Sequence, residues 1–80
     1  MTFGEALECL KSGKRVARSG WNGPGMWVVL IEPGNAMHRS SVGSFDMQPC
    51  FGLKTTRNTM QPGWIPSISD ILSCDWIVME

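Results

Sequence analysis

The chain is poor in the features that would place it in several large functional classes. No apolar run approaches the ~20 residues needed to cross a bilayer. The N-terminal segment carries Glu5 and Glu8 where a secretory leader has its apolar stretch, so no signal peptide is expected. The three cysteines, Cys9, Cys50 and Cys74, are an odd number without paired spacing. A disulfide framework is therefore not expected, and a reduced cytosolic setting is. Those cysteines and the lone His38 show no C-x-x-C or H-x-x-H spacing, which argues against a zinc site. Seven Lys and Arg balance seven Asp and Glu, so the basic excess of proteins that hold DNA or RNA polymers is missing.

Catalytic signatures are equally scarce. Gly20-Trp21-Asn22-Gly23-Pro24-Gly25 lacks the Lys-Ser/Thr ending of a phosphate-binding P-loop and precedes a strand, not a helix. His38 stands in a serine-rich stretch with no G-x-S-x-G context for a nucleophile. Asp70 and Asp75 would work as an acid and base only if one were desolvated, which sequence does not show. The expectation is a protein that performs no chemistry and needs neither metal nor cofactor. Internal repeats and low-complexity segments are also missing.

Eighty residues read as one domain, 1–80, and a chain of that size buries only about 60% of its unfolded surface. With no disulfide or metal in view, self-association is the favoured supplement. The charges are unevenly spread: Lys11, Lys14, Arg15 and Arg18 cluster early, whereas Asp70, Asp75 and Glu80 follow Arg57 without any further cation. A small positive site of this kind fits a small anion better than a polymer.

What the chain does have is Trp21-Asn22-Gly23-Pro24-Gly25-Met26-Trp27, directly after the basic strand Arg15-Val16-Ala17-Arg18. Gly and Asn adopt positive φ cheaply and Pro fixes φ, so this is a tight, ordered loop. It offers backbone N–H groups, aromatic faces and a nearby guanidinium, the parts needed to hold an anionic nucleotide. The competing reading makes it a hairpin turn whose tryptophans serve only the core.

In chain order, Thr2-Phe3-Gly4-Glu5 has the form of a capping box, and Phe3, Ala6, Leu7 and Leu10 recur at helical spacing. With Lys11 in the last turn and Gly13 as a stop, the spacing predicts a helix over 3–12. Lys14–Arg18 reads as a short strand. Trp27–Ile31, apolar on both faces, reads as a central strand or one buried at a subunit contact. Glu32-Pro33-Gly34-Asn35 is a turn, and 36–48 reads as a long loop, mobile or functional. Strand character returns over Pro49–Thr55, Arg57-Asn58 turns the chain, and Thr59–Gln61 is a short strand ended by Pro62-Gly63. A short helix capped by Ser67 or Ser69 and a last strand over Asp75–Met79 complete an α+β fold with a small antiparallel sheet.

Binding groups are better represented than catalytic ones. Trp76 and Trp27 are expected in the core, whereas Trp21 and Trp64, flanked by Gly or Pro, are placed to stack on a base. Arg18 and Lys54 end their strands beside polar residues and suit phosphate. Asn22, Thr55 and Ser67 can hydrogen-bond phosphate or base edges. Asp70 either accepts from ribose hydroxyls or serves the dipole of its helix.

The opening Phe3-Gly4-Glu5-Ala6-Leu7-Glu8-x-Leu10-Lys11-x-Gly13-Lys14-x-Val16-Ala17-Arg18-x-Gly20-Trp21-Asn22-Gly23-x-Gly25-Met26 resembles that of the phage Thoeris anti-defence family of the second type. Phe51-x-Leu53-Lys54-Thr55 is similar to that family's middle strand, and Trp64-x-Pro66-Ser67-x-x-Asp70-Ile71-Leu72-x-x-Asp75-Trp76 to its closing signature. Residues 33–49 show no counterpart. Thr56-Arg57-Asn58 stands where the family often has an acidic residue, which adds positive charge and leaves ligand preference open. The resemblance implies a homotetramer, a dimer of dimers, in the cytoplasm of an infected bacterium, engaging neither membrane nor nucleic-acid polymer. It implies a sponge that sequesters cyclic ADP-ribose isomers uncleaved, some members also holding cyclic oligonucleotides at separate sites. It places Trp21 and Asn22, with Gly23 and Met26 of the same motif, in a ligand loop between subunits, completed by Ser67 and Asp70. The rival readings are an enzyme that degrades the same signal, or a phage protein that inhibits a host protein by direct contact.

Overall fold

The computed structural model describes residues 1–32 and 37–79. Helix α1 (Phe3–Lys11) opens the fold, and its first turn is closed as the sequence implies. The Thr2 hydroxyl accepts from the Glu5 N–H at 3.2 Å, and a Glu5 carboxylate oxygen accepts from the Thr2 N–H at 2.9 Å. Both donors would otherwise be unsatisfied at a helix N-terminus. The helix ends at Ser12, and Gly13 takes φ of 87°, a conformation that strains any residue with a Cβ.

Among the described residues seven strands follow: β1 (Arg15–Arg18), β2 (Trp27–Ile31), β3 (Met37–Ser40), β4 (Gly43–Asp46), β5 (Cys50–Lys54), β6 (Met60–Pro62) and β7 (Trp76–Met79). Between β6 and β7 lies the short helix α2 (Ile68–Leu72). Five strands form one antiparallel sheet in the order β6-β5-β2-β1-β7, so the doubly apolar β2 is central. Register places Val16 beside Val28 and Val78, Val28 beside Leu53, and Leu30 beside Phe51. Paired residues of an antiparallel sheet share a face. That face meets Ala6 and Leu10 of α1 and the indole of Trp76, and together they make the core. The other face carries Ala17, Trp27, Val29, Ile31 and Ile77.

Two expectations are corrected. The segment read as a long loop over 36–48 contains the antiparallel hairpin β3–β4, paired from Met37 and Asp46 to Ser40 and Gly43. Strand β4 is exposed along its whole length, so no buried face imprints a hydrophobic alternation on the sequence. Trp27, expected in the core, is half-buried on the second face of the sheet, with the Arg15 guanidinium carbon 5.2 Å from its ring centroid. Of the expected turn at Glu32–Asn35, residues 33–35 lie outside the described residues. The 57–58 turn is present, with Asn58 at φ 61°.

Trp76 is 1% exposed and meets Phe3, Trp21 and Trp64 at centroid distances of 5.4, 5.5 and 6.4 Å. Trp76→Ala should cost ~3–5 kcal/mol, comparable to the whole stability of a domain this small. The variant is expected to lose its cooperative urea transition, whereas Thr2→Ala should keep it and lose about 1 kcal/mol.

Candidate functional site

The loop between β1 and β2 is anchored by a charge cluster drawn from three elements. Arg18, the last residue of β1, donates from Nε to Asp75 Oδ1 at 2.8 Å and from Nη1 to Asp70 Oδ1 at 2.9 Å. Their side chains are 19% (Arg18), 12% (Asp70) and 31% (Asp75) exposed, so the pairs are largely withdrawn from water. Such pairs are specific in geometry even where their net stabilisation is small.

Asp70 is where it is because α2 is capped. The Ser67 hydroxyl accepts from the Asp70 N–H at 3.1 Å, and Asp70 Oδ2 accepts from the Ser67 N–H at 2.9 Å. That reciprocal bond leaves Oδ1 for Arg18 and, at a longer 3.4 Å, for the indole N–H of Trp21. The Asp70 backbone carbonyl takes the Trp76 indole N–H at 2.8 Å. One residue thus joins helix cap, cation and two tryptophans.

The electrostatics follow. Burial pushes the Asp70 carboxyl upward, but the Ser67 backbone, Arg18, the Ser67 side chain and Trp21 outweigh it and hold it below the ordinary value of 3.8. Arg18 is the chief cause of the same downward shift at Asp75, opposed by burial and assisted by the Gly20 N–H. Arg18 in turn is pushed above its already high value by Asp75 and then Asp70. A general acid at neutral pH needs the opposite shift, so neither aspartate is tuned to donate a proton.

The ten residues proposed from sequence fall into two groups joined by the loop. Arg18, Trp21, Trp64, Ser67 and Asp70 make the first, with Trp21 meeting Trp64 edge-on at 6.1 Å between centroids. Trp21 and Trp64 are half-buried and pack against the core cluster. The second group is at the far end of the loop. Lys54 Nζ donates to the Gly25 carbonyl at 2.8 Å and to the Thr55 carbonyl at 3.3 Å. Met26 and Thr56 close over Gly23, where an added Cβ would collide with both side chains. The Thr55 hydroxyl is 2.7 Å from that of Thr59 and accepts from the Arg57 and Thr59 N–H groups, which fixes the turn after β5. Asn22 is exposed at the loop tip.

A cleft of about 420 Å³ runs along Leu30, Cys50, Phe51, Trp64 and Ile65, within the size range of small-molecule sites. It lies at Trp64 rather than over Trp21, and Trp64 belongs both to the cleft and to the aromatic cluster. Sequence reasoning left Asp75 out of the site, although Asp75 binds Arg18 and the Gly20 N–H. Nothing in the residue pattern near Asp75 marks a pairing with a strand end 57 positions earlier.

Among the described residues no group of three or more His, Cys, Asp or Glu could hold a metal ion, and no helix is long and apolar enough to cross a membrane. Fold and site together define a small α+β domain with an aromatic, charge-anchored loop. Residues 1–79 match the model of the Thoeris anti-defense 2-like domain. The chain is also 40% identical over 87 aligned positions to "Thoeris anti-defense 2" of Bacillus phage SP01, covering 100% of this chain and 96% of that protein. The chain belongs to the Thoeris anti-defense 2-like family, and that membership supports a role in phage anti-defence.

The lowered carboxyls set a pH dependence. Asp70 and Asp75 titrate lower folded than unfolded, so their pairing stabilises the fold above the unfolded value of 3.8 and is lost as pH falls through the lowered folded values. Differential scanning calorimetry should show a melting temperature insensitive to these groups between about pH 7 and pH 5 and falling below about pH 4. In Asp75→Asn the midpoint should be lower at neutral pH, and its acid decline shallower.

Proposed function

We propose that this chain is a sponge for a cyclic nucleotide immune signal, first of all glycocyclic ADP-ribose, which it holds without cleaving. The observation that carries this reading is the half-buried indole of Trp21 next to Trp64 on a loop pinned at both ends. Stacking of a base on such a ring contributes ~1–3 kcal/mol. Lys54 supplies positive charge on one side of the loop, Arg18 anchors the other side through Asp70 and Asp75, Asn22 donates from the tip, and Ser67, Thr55 and Asp70 border the site. Gly23 and Met26 shape the loop between these groups. The downward-shifted aspartates suit an electrostatic scaffold, and a sponge asks for slow release rather than transition-state stabilisation. The relative in phage SP01 is named for the same anti-defence role.

On this reading the protein is a homotetramer, a dimer of dimers, acting in the cytoplasm of the infected bacterium, with the pocket shared between copies. The single chain exposes 5483 Å². A compact monomer of 8.8 kDa is expected to expose only about 4,800 Å². Ile65, Ile68 and Leu72 are 82, 77 and 74% exposed, and Ile77 on the second sheet face is 44% exposed. Apolar surface on this scale in so small a chain favours association. Cyclic oligonucleotides are a second ligand class, held at separate sites.

Three measurements test the reading. Glycocyclic ADP-ribose incubated with the protein should return intact and stoichiometric after heat denaturation; turnover would make the protein an enzyme. At 100 times Kd the ligand should add about 2.7 kcal/mol of stability. Trp21→Ala should abolish binding while the elution volume on a sizing column stays that of the wild-type oligomer. Failure of every cyclic nucleotide to shift the melt would favour inhibition of a host protein through the exposed apolar residues.

A further inference from the structure

The loop bearing Trp21 is held by a closed circuit of hydrogen bonds. Asp75 Oδ2 accepts the Gly20 N–H at 3.0 Å, Oδ1 accepts Arg18 Nε at 2.8 Å, and its backbone carbonyl accepts the Ser19 N–H at 3.0 Å. Arg18 Nη1 continues to Asp70 Oδ1 at 2.9 Å, the oxygen that also takes the Trp21 indole N–H at 3.4 Å. The path Gly20–Asp75–Arg18–Asp70–Trp21 therefore begins and ends on adjacent loop residues. Gly20 is required by the close approach: a Cβ there would lie 2.8 Å from Asp75 Oδ2. Both Asp75 oxygens accept from the protein's own donors.

We propose that Asp75 is the positioning residue of the ligand loop: through the Gly20 N–H and the Arg18 guanidinium it fixes the Trp21 indole in its binding orientation before any ligand arrives. This rests on the reading of Trp21 as the stacking platform. A loop of Gly20, Asn22, Gly23, Pro24 and Gly25 has many alternatives to that orientation once its anchor is gone. Apparent affinity falls by the fraction of molecules in the competent arrangement, so a fall to about one in ten weakens binding about tenfold. The long Trp21–Asp70 bond does not set the ring by itself; the short bonds at Arg18 and Gly20 bring the loop to where that bond forms.

The test is Asp75→Asn in the full chain, which keeps shape and removes charge. Titration calorimetry uses glycocyclic ADP-ribose as probe, and NMR follows solvent exchange at the Gly20 amide and the Trp21 indole N–H. The expected result is about tenfold weaker binding, with exchange accelerated at those two sites while α1 amides keep their protection. Gly20→Ala, which displaces the carboxylate from the loop side, should repeat the pattern and serves if Asp75→Asn does not fold. Unchanged Kd with accelerated exchange overturns the proposal, as does weaker binding with exchange accelerated throughout α1, which would mark a merely structural residue. If the wild-type protein fails to bind the probe, the sponge reading falls instead. Exchange alone then decides whether Asp75 orders the loop: acceleration confined to Gly20 and Trp21 upholds that ordering, and unchanged exchange refutes it.

Discussion

The fold turns on one guanidinium held between two carboxylates. Arg18 ends β1, Asp70 lies in the first turn of α2, and Asp75 immediately precedes β7, so the two short bonds from Arg18 tie three elements at one point. An 80-residue chain has few other means of fixing a five-residue helix, which would not persist in isolation. The ion pairs need not contribute much net stability, since desolvation offsets much of the attraction. Their effect is geometric: a planar fork accepts carboxylates only in certain directions. That directionality decides where α2 and the loop after β1 sit relative to the sheet.

Trp76 supplies the complementary apolar constraint. Its ring fills the space between α1 and the sheet, and its N–H reaches the Asp70 carbonyl, so a large hydrophobe is buried without an orphaned donor. Phe3, Trp21 and Trp64 then pack around it at tilted or edge-on angles, the arrangement that ring quadrupoles favour. Polar and apolar networks therefore meet at Asp70 and Trp21. A change to either is felt in the other.

How much of this was legible depended on how local the signal was. Both helix starts were readable, since Thr2 with Glu5 and Ser67 with Asp70 close their boxes over three residues. The centrality of β2 was readable from Trp27-Val28-Val29-Leu30-Ile31, which leaves no polar face for water. The β3–β4 hairpin was not, because Gly43-Ser44-Phe45-Asp46 is exposed throughout and has no inside to record. The position of Trp27 is not legible for a related reason: an apolar strand does not say which face the helix covers, and α1 covers the face of Val28. The partners of Arg18 lie 52 and 57 positions away, beyond any pattern in the sequence. The charge was visible and its occupation was not.

That occupation changes what the site asks of a ligand. A guanidinium already balanced by two carboxylates offers a phosphate less free charge than sequence suggests, and displacing Asp70 would leave a buried, unpaired anion. Lys54 is differently placed: its partners are the Gly25 and Thr55 carbonyls, which neutralise no charge. Of the two cations at the loop, Lys54 thus keeps the greater attraction for an anion, while Arg18 is engaged by Asp70 and Asp75. On the proposed function, dividing the tasks in this way would leave the domain rigid where a base stacks and positive where a phosphate rests.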